Sequence, residues 1–154
     1  MDNPYYTHKV AVIAYLLRGD RFLLLKRTSE PAIWAPPGGR LNRDEPPIEG
    51  LKREIREETG FEIEVVAPVT TWFGRWHGGW LLSIDYLARI TGGSLRLSRE
   101  HSDAIWVTLD ELERGEPIRL DPRLGFHLED FREAWRLIQA LRAAGYQTES
   151  MQHR

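Results

Sequence analysis

The 154-residue sequence predicts a domain of the α/β class in its α+β form: an αβα sandwich with a mixed β-sheet between helices. Nearly continuous apolar runs at residues 8–17 and 21–27 are typical of buried strands. Two amphipathic segments, one after Glu45 and one at about 126–144, each carry an apolar stripe that can pack on a sheet. The length favours one domain spanning residues 1–154.

The other strands follow from alternation and from turn residues. They are predicted at residues 62–66, 70–73, 80–90 and 104–108. We expect Pro68 to end the ladder of the first of these, because proline lacks the N–H that a ladder needs. Residues 74–79, rich in glycine, are expected to connect a hairpin, and a short helix is expected to begin at Leu109.

The central helix has clear start and stop signals. Glu45 and the two prolines after it suit a first turn, where a carboxylate faces the positive end of the helix dipole. Gly60 suits the end, since glycine accepts the left-handed conformation found there. The predicted apolar stripe consists of Ile48, Leu51 and Ile55.

A second face of this helix carries Glu54, Glu57 and Glu58. Three carboxylates this close repel one another unless cations neutralise them. Arg53 can supply part of that charge, but a hard divalent ion suits an all-oxygen cluster better. The plain alternative is a solvated surface face. The adjoining segment, Pro36-Pro37-Gly38-Gly39, favours the metal hypothesis because its glycines let the backbone approach the same ion.

These residues form one spaced pattern: Gly39, five residues, Glu45, seven residues, then Arg53-Glu54-Ile55-Arg56-Glu57-Glu58-Thr59-Gly60-Phe61. The pattern resembles the box of the Nudix hydrolases, with every defining position between 39 and 61 filled. The resemblance implies the αβα sandwich. It also implies a hydrolase that uses Mg²⁺ or Mn²⁺ to cleave the pyrophosphate linkage of a nucleoside diphosphate derivative.

The resemblance also implies roles for single residues. The expected metal ligands are Gly39, Glu54, Glu57, Glu58 and Glu100. The expected catalytic residues are Arg53, Glu54, Glu57 and Glu100, and the sequence leaves the general base open among the three glutamates. Glu45 is expected to fix the loop or to bind a further ion. His101 is expected to be a surface residue, and the alternative for it is a general base.

Substrate contacts are expected from four residues: Arg27, Trp72, Arg75 and Trp76. The resemblance implies that basic residues at the end of the second strand face the substrate phosphates, and the alternative for Arg27 is an ordinary solvated strand end. Aromatic rings suit a base. The alternative is that these aromatics pack on the sheet or at the interface of a homodimer. The substrate stays open among a nucleoside triphosphate, a nucleotide sugar, ADP-ribose and a dinucleoside polyphosphate.

Composition limits the other classes of function. A net charge of −2 gives no basic field for double-stranded nucleic acid. No apolar run is long enough for a bilayer, so a cytoplasmic protein is expected. Its partner, as the resemblance implies, is a small nucleotide. A non-catalytic module that senses or binds nucleotides is the alternative function, although the complete box argues against it. The isoprenoid diphosphate isomerases related to the family use a cysteine, and this sequence has none.

Overall fold

The computed structural model describes residues 3–124 and 126–147. This part of the chain contains seven strands, three α-helices and a short 3₁₀ helix, Pro122–Leu124. The strands are β1 (Lys9–Arg18), β2 (Arg21–Arg27), β3 (Trp34–Ala35), β4 (Gly38–Arg40), β5 (Phe61–Trp76), β6 (Gly79–Gly93) and β7 (His101–Thr108). The helices are α1 (Pro47–Thr59), α2 (Leu109–Arg114) and α3 (Leu128–Ala143).

The strands form a mixed sheet in the order β3-β2-β1-β6-β5, in which β1 and β6 run parallel. β7 pairs with β2, and β4 pairs with β1. β2 pairs with β1 over only two residue pairs, at the end of β1. Residues 11–13 of β1 pair with β4 instead. The Gly38-Gly39 backbone is therefore a short strand fixed to the centre of the sheet.

Alternation along β1 builds a core on each face of the sheet. Val12, Ala14 and Leu16 pack in the cluster that contains Leu51 and Ile55 of α1. Ile13, Tyr15 and Leu17 pack in the cluster that contains Phe131, Ala134 and Ile138 of α3. Because successive side chains of a strand point to opposite faces, one apolar run serves both layers. The predicted αβα sandwich with a mixed sheet is confirmed.

Helix α1 has the predicted ends. Pro46 is its N-cap, and Gly60 adopts φ +79° while donating its N–H to the carbonyl of Arg56. The predicted apolar stripe is wrong at Ile48, which is exposed, whereas Leu51 and Ile55 are fully buried. The reason is that the buried side of the helix begins only at Gly50.

Strand β5 is longer than expected, because Pro68 does not end its ladder. Pro68 lies opposite Tyr86 beside a shift in register, and β5 is at the edge of the sheet, where a missing N–H is tolerated. The predicted six-residue hairpin connection is also wrong. Trp76 pairs with Gly79, which leaves only His77 and Gly78 in the turn, at φ +49° and +77°. Two positive φ values are characteristic of a tight two-residue hairpin.

The ends of the chain's later elements differ slightly from the predictions. β7 begins at His101, which pairs with Arg27, rather than at residue 104. Helix α3 lies within the predicted range of about 126–144. Within residues 3–124 and 126–147, no helix combines the length and the apolar character needed to cross a bilayer.

Candidate active site

Arg53 connects three acidic side chains. Its Nε and Nη2 donate to Glu45 Oε2 and Oε1 at 2.7 and 2.8 Å. Its Nη1 donates to Glu54 Oε1 at 3.0 Å and to Glu57 Oε2 at 3.2 Å. Glu45 Oε1 also accepts the backbone N–H of Asn42 at 3.0 Å. Glu45 thus holds the loop before α1, the first of the two roles expected for it.

Glu58 is a buried carboxyl, with 2% of its surface exposed. The backbone N–H of Gly38 donates to its Oε1 at 3.0 Å. Burial is the largest cause that raises the pKa of Glu58, to about 9, and repulsion by Glu54 and Glu100 adds to it. A carboxyl in this environment gains stability from either a proton or a nearby cation.

Glu54 lies directly against β4. A Cβ added at Gly39 would be 2.5 Å from Glu54 Oε2, so a larger residue would displace this carboxylate from its present position. Burial also raises the pKa of Glu54, while Arg53 lowers it and Glu57 raises it. The spaced box residues therefore meet because α1 packs its acidic face against the β4 backbone.

His101 is largely buried, so the expectation that it is a surface residue is wrong. Its Nε2 is 3.3 Å from Glu58 Oε2, and 11% of its side chain is exposed. Burial lowers the pKa of His101, which favours the neutral imidazole. Its Nδ1 is buried without a hydrogen-bond partner among the described residues. The position follows from the pairing of His101 with Arg27, which brings the start of β7 to α1.

A cleft of about 1190 Å³ joins the acidic face to the sheet. The predicted site residues that line it are Arg27, Gly39, Glu54, Glu57, Glu58, Trp72, Trp76 and Glu100. Glu100 reaches it because its carbonyl accepts the N–H of Thr28 at 2.9 Å, which ties the loop before β7 to the end of β2. Arg53 is not among the described lining residues and acts on the cleft through the carboxylates that it holds.

The hairpin β5–β6 divides its aromatic residues between two faces. Trp72 and Trp76 line the cleft. Phe73 stacks on Trp80 at 5.2 Å on the opposite face, and the guanidinium of Arg75 lies 4.6 Å from the Trp80 ring centre. Arg75 is not among the described residues that line the cleft. The strict alternation of a strand separates it from its neighbours Trp72 and Trp76.

Arg27 and Trp76 meet across the cleft. The guanidinium carbon of Arg27 is 5.2 Å from the Trp76 ring centre, a distance that allows a cation–π interaction. Arg27 Nη2 also donates to Ser29 Oγ at 3.0 Å, while its buried Nε has no partner among the described residues. Arg27 therefore brings a guanidinium to the lining of a cleft that could receive an anion.

The chemistry of the acidic group fits a divalent cation. Burial is the largest cause that raises the pKa values of Glu54 and Glu58, and a nearby cation would favour their ionised forms. In the described residues, no three acidic or histidine side chains already converge in metal-binding geometry. Arg53 holds Glu54 and Glu57 in their present positions. The acidic residues thus fit a divalent cation by the type and the location of their oxygen atoms, and not by a coordination geometry that is already formed.

Two cleft residues, Ser83 and Lys9, were not singled out from the sequence. Both lie in strands whose apolar neighbours dominate the pattern, so neither stands out by type or spacing. For His101, the signal in the sequence was its position directly after Glu100.

Comparison with known proteins gives the family. The family model described as NUDIX domain matches residues 7–128. A MutT-like protein of Streptomyces ambofaciens is 33% identical over 105 residues, 68% of this chain and 67% of that protein. An ADP-ribose pyrophosphatase of Methanocaldococcus jannaschii is 30% identical over 114 residues, 71% of this chain and 68% of that protein.

Among solved structures, a crystal structure of a UDP-X diphosphatase has a TM-score of 0.73 and 20% identity. The match covers 96% of this chain and 69% of that one, which supports the fold. The family match spans most of the chain and includes α1 and the β4 backbone, whose residues build the acidic end of the cleft. The chain therefore belongs to the Nudix hydrolase family.

Proposed function

We propose that this protein hydrolyses the pyrophosphate linkage of a nucleoside diphosphate derivative and depends on Mg²⁺ or Mn²⁺. The observation that carries the proposal is the shared cleft. Acidic side chains of α1 and Glu100 line one part of it, and Arg27, Trp72 and Trp76 line other parts. A diphosphate joined to a nucleoside needs both kinds of surface: cations for its phosphates and aromatic faces for its base.

The metal ligands in this proposal are Glu54, Glu57, Glu58 and Glu100, with help from the backbone of Gly39. A bound divalent ion would offset charge on the diphosphate and lower the pKa of the attacking water. Glu58 suits the role because it is buried and fixed by the Gly38 N–H. Glu57 is exposed and its side chain is held by Arg53.

The chain's own residues would position and deprotonate the water. Arg53 orients Glu54 and Glu57 through its Nη1, and the base is one of Glu54, Glu57 and Glu100. Arg27 would bind phosphate oxygens, and Trp72 and Trp76 would contact the base. Arg75 has no role here because it lies over Trp80.

The substrate is a nucleoside diphosphate joined to a further group, as in ADP-ribose, a nucleotide sugar, a nucleoside triphosphate or a dinucleoside polyphosphate. The relative described as an ADP-ribose pyrophosphatase makes ADP-ribose the first compound to test. The volume of the cleft, about 1190 Å³, suits a substrate larger than a mononucleotide.

A substrate screen tests the proposal. These four classes are incubated with the protein and Mg²⁺ or Mn²⁺, with matched samples in EDTA, and the products are identified by mass spectrometry in H₂¹⁸O. We expect metal-dependent cleavage with one ¹⁸O in a phosphate product. Tight nucleotide binding without cleavage of any class would contradict the proposal and support a nucleotide-sensing module.

A further inference from the structure

Ser83 and Asp85 form a polar pair in the floor of the cleft. Both lie on β6 and are buried, with 6% and 2% of their surfaces exposed. Ser83 Oγ is 2.5 Å from Asp85 Oδ1. Ser83 lines the cleft, whereas Asp85 is not among the described lining residues. The cleft thus contains a hydroxyl, that of Ser83, which is hydrogen-bonded to a buried carboxyl.

The carboxylate determines what the hydroxyl can recognise. Burial raises the pKa of Asp85 to about 6, so its carboxyl is ionised above that pH. An ionised carboxylate only accepts hydrogen bonds, so Ser83 must then donate its proton to Asp85. The short distance between the two oxygens is typical of a hydroxyl bound to a charged acceptor. The remaining lone pairs of Ser83 Oγ can then accept a hydrogen bond from a ligand, and its proton is not available to a ligand acceptor.

The neighbours of Ser83 are suited to a base. Its partners in register are Ala11 on β1 and Trp72 on β5, and Leu81 lies two residues before it on the same face. A Cβ added at Gly74 would be 2.5 Å from the Trp72 indole, so this ring covers Gly74 closely. Apolar surface and a flat ring thus surround one oriented acceptor, the usual composition of a selective small-molecule site.

We propose that Ser83 determines base specificity by accepting a hydrogen bond from an exocyclic amino group of a nucleobase that stacks on Trp72. Ser83 is recessed among Ala11, Trp72 and Leu81, so a donor must project beyond the ring to reach it. An exocyclic amino group does so, and a carbonyl at the same place would face an oxygen with no proton to give. This inference rests on the proposed nucleotide substrate and narrows it to amino-bearing bases.

The test measures binding with pairs of ligands that differ by one amino group. Dissociation constants are determined by calorimetry in Mg²⁺ for the diphosphates of guanosine and inosine, of adenosine and purine riboside, and of cytidine and 2-pyrimidinone riboside. We expect the amino-bearing member of at least one pair to bind about 5- to 10-fold more tightly, the effect of one neutral hydrogen bond. Ser83→Ala should remove this preference by weakening that member alone.

Two further variants complete the design. Ser83→Thr keeps the hydroxyl and should keep the preference, while Ser94→Ala, at an exposed serine outside the cleft lining, should leave all constants unchanged. The decisive comparison lies within Ser83→Ala, because partial misfolding would weaken both members of a pair equally. Equal weakening, an unchanged preference, or no preference in the unmodified protein would overturn the inference.

The result separates this inference from the proposed function. An amino preference that Ser83→Ala abolishes, in a protein that cleaves no nucleotide derivative, would refute the hydrolase proposal and support the role of Ser83. Metal-dependent cleavage without any effect of Ser83→Ala on base preference would refute only the role of Ser83.

Discussion

Arg53 and Glu45 form a two-point ion pair, with Nε–Oε2 and Nη2–Oε1 distances of 2.7 and 2.8 Å. The pair joins α1 to the loop that leads into it, while the other amino group of Arg53 holds Glu54 and Glu57. Planar, two-point recognition of a carboxylate is specific to arginine. The orientation of the acidic face therefore depends on the guanidinium shape as well as on its charge.

Arg53→Lys should lower kcat by about 10- to 100-fold, because lysine keeps the charge but cannot orient Glu45, Glu54 and Glu57 together. Steady-state kinetics on the best substrate measures the effect. Arg56→Lys is the matched control. Arg56 is exposed on the same helix and forms a similar two-point pair with Glu62 of β5. Equal losses in the two variants would show that Arg53 acts only on helix stability.

Glu57→Gln should abolish most of the turnover, because glutamine keeps the shape of the side chain but removes a charge that a hard cation requires. The loss should be largest at limiting Mg²⁺. Glu49→Gln, at an exposed position in the first turn of α1, is the control and should retain full activity. Near-normal turnover of folded Glu57→Gln at limiting Mg²⁺ would argue against Glu57 as a ligand.

Mg²⁺ or Mn²⁺ should raise the melting temperature of protein previously treated with a chelator, because a cation relieves the repulsion between Glu54 and Glu58. At 100 times the dissociation constant, such binding contributes about 2.7 kcal/mol. Glu58→Gln should reduce the shift, and thermal unfolding over a metal titration measures it. A flat titration in the unmodified protein would be inconsistent with a preformed site.

The contribution of Asp85 to the stability of the protein should fall as the pH rises from about 4 to about 6. Burial is the largest cause that raises its pKa from 3.8 to about 6, with the nearby Asp130 adding to it. In this window the unfolded chain has already lost the proton that the folded chain retains, so raising the pH favours unfolding. This change of the Asp85 pKa between the unfolded and the folded chain corresponds to about 3 kcal/mol at most.

Denaturant unfolding at pH 4 and pH 7 measures this contribution. Asp85→Asn should lose it, whereas Asp110→Asn, at an exposed position in α2, should behave as the unmodified protein does. The same decline with pH in Asp85→Asn and in the unmodified protein would assign it to other groups.

Trp76→Ala should raise KM for a base-containing substrate by about 10-fold or more, because stacking of a base on an aromatic ring contributes about 1 to 3 kcal/mol. A simple diphosphate without a base should be affected much less. Trp80→Ala is the control, since Trp80 packs with Phe73 on the other face of the hairpin. If the two variants behave alike, or if both lose mainly stability, the aromatic residues of this hairpin serve structure.

The sequence was sufficient for the features that depend on neighbours along the chain. Helix α1 and its end at Gly60 follow from local rules of helix termination, and the shared face of Glu54, Glu57 and Glu58 follows from helical spacing. The two buried strands β1 and β2 follow from apolar runs. These rules act within a few residues, so they can be applied before the fold is known.

Only the tertiary structure decided which distant residues meet. The pairing of β7 with β2 brings His101 to Glu58, and the pairing of β6 with β1 and β5 buries Asp85 behind Ser83. Strand alternation separates Arg75 from Trp76, although the two are adjacent in the sequence. Register and burial depend on contacts between segments far apart in the chain, because each face of a strand is set by the layer that covers it.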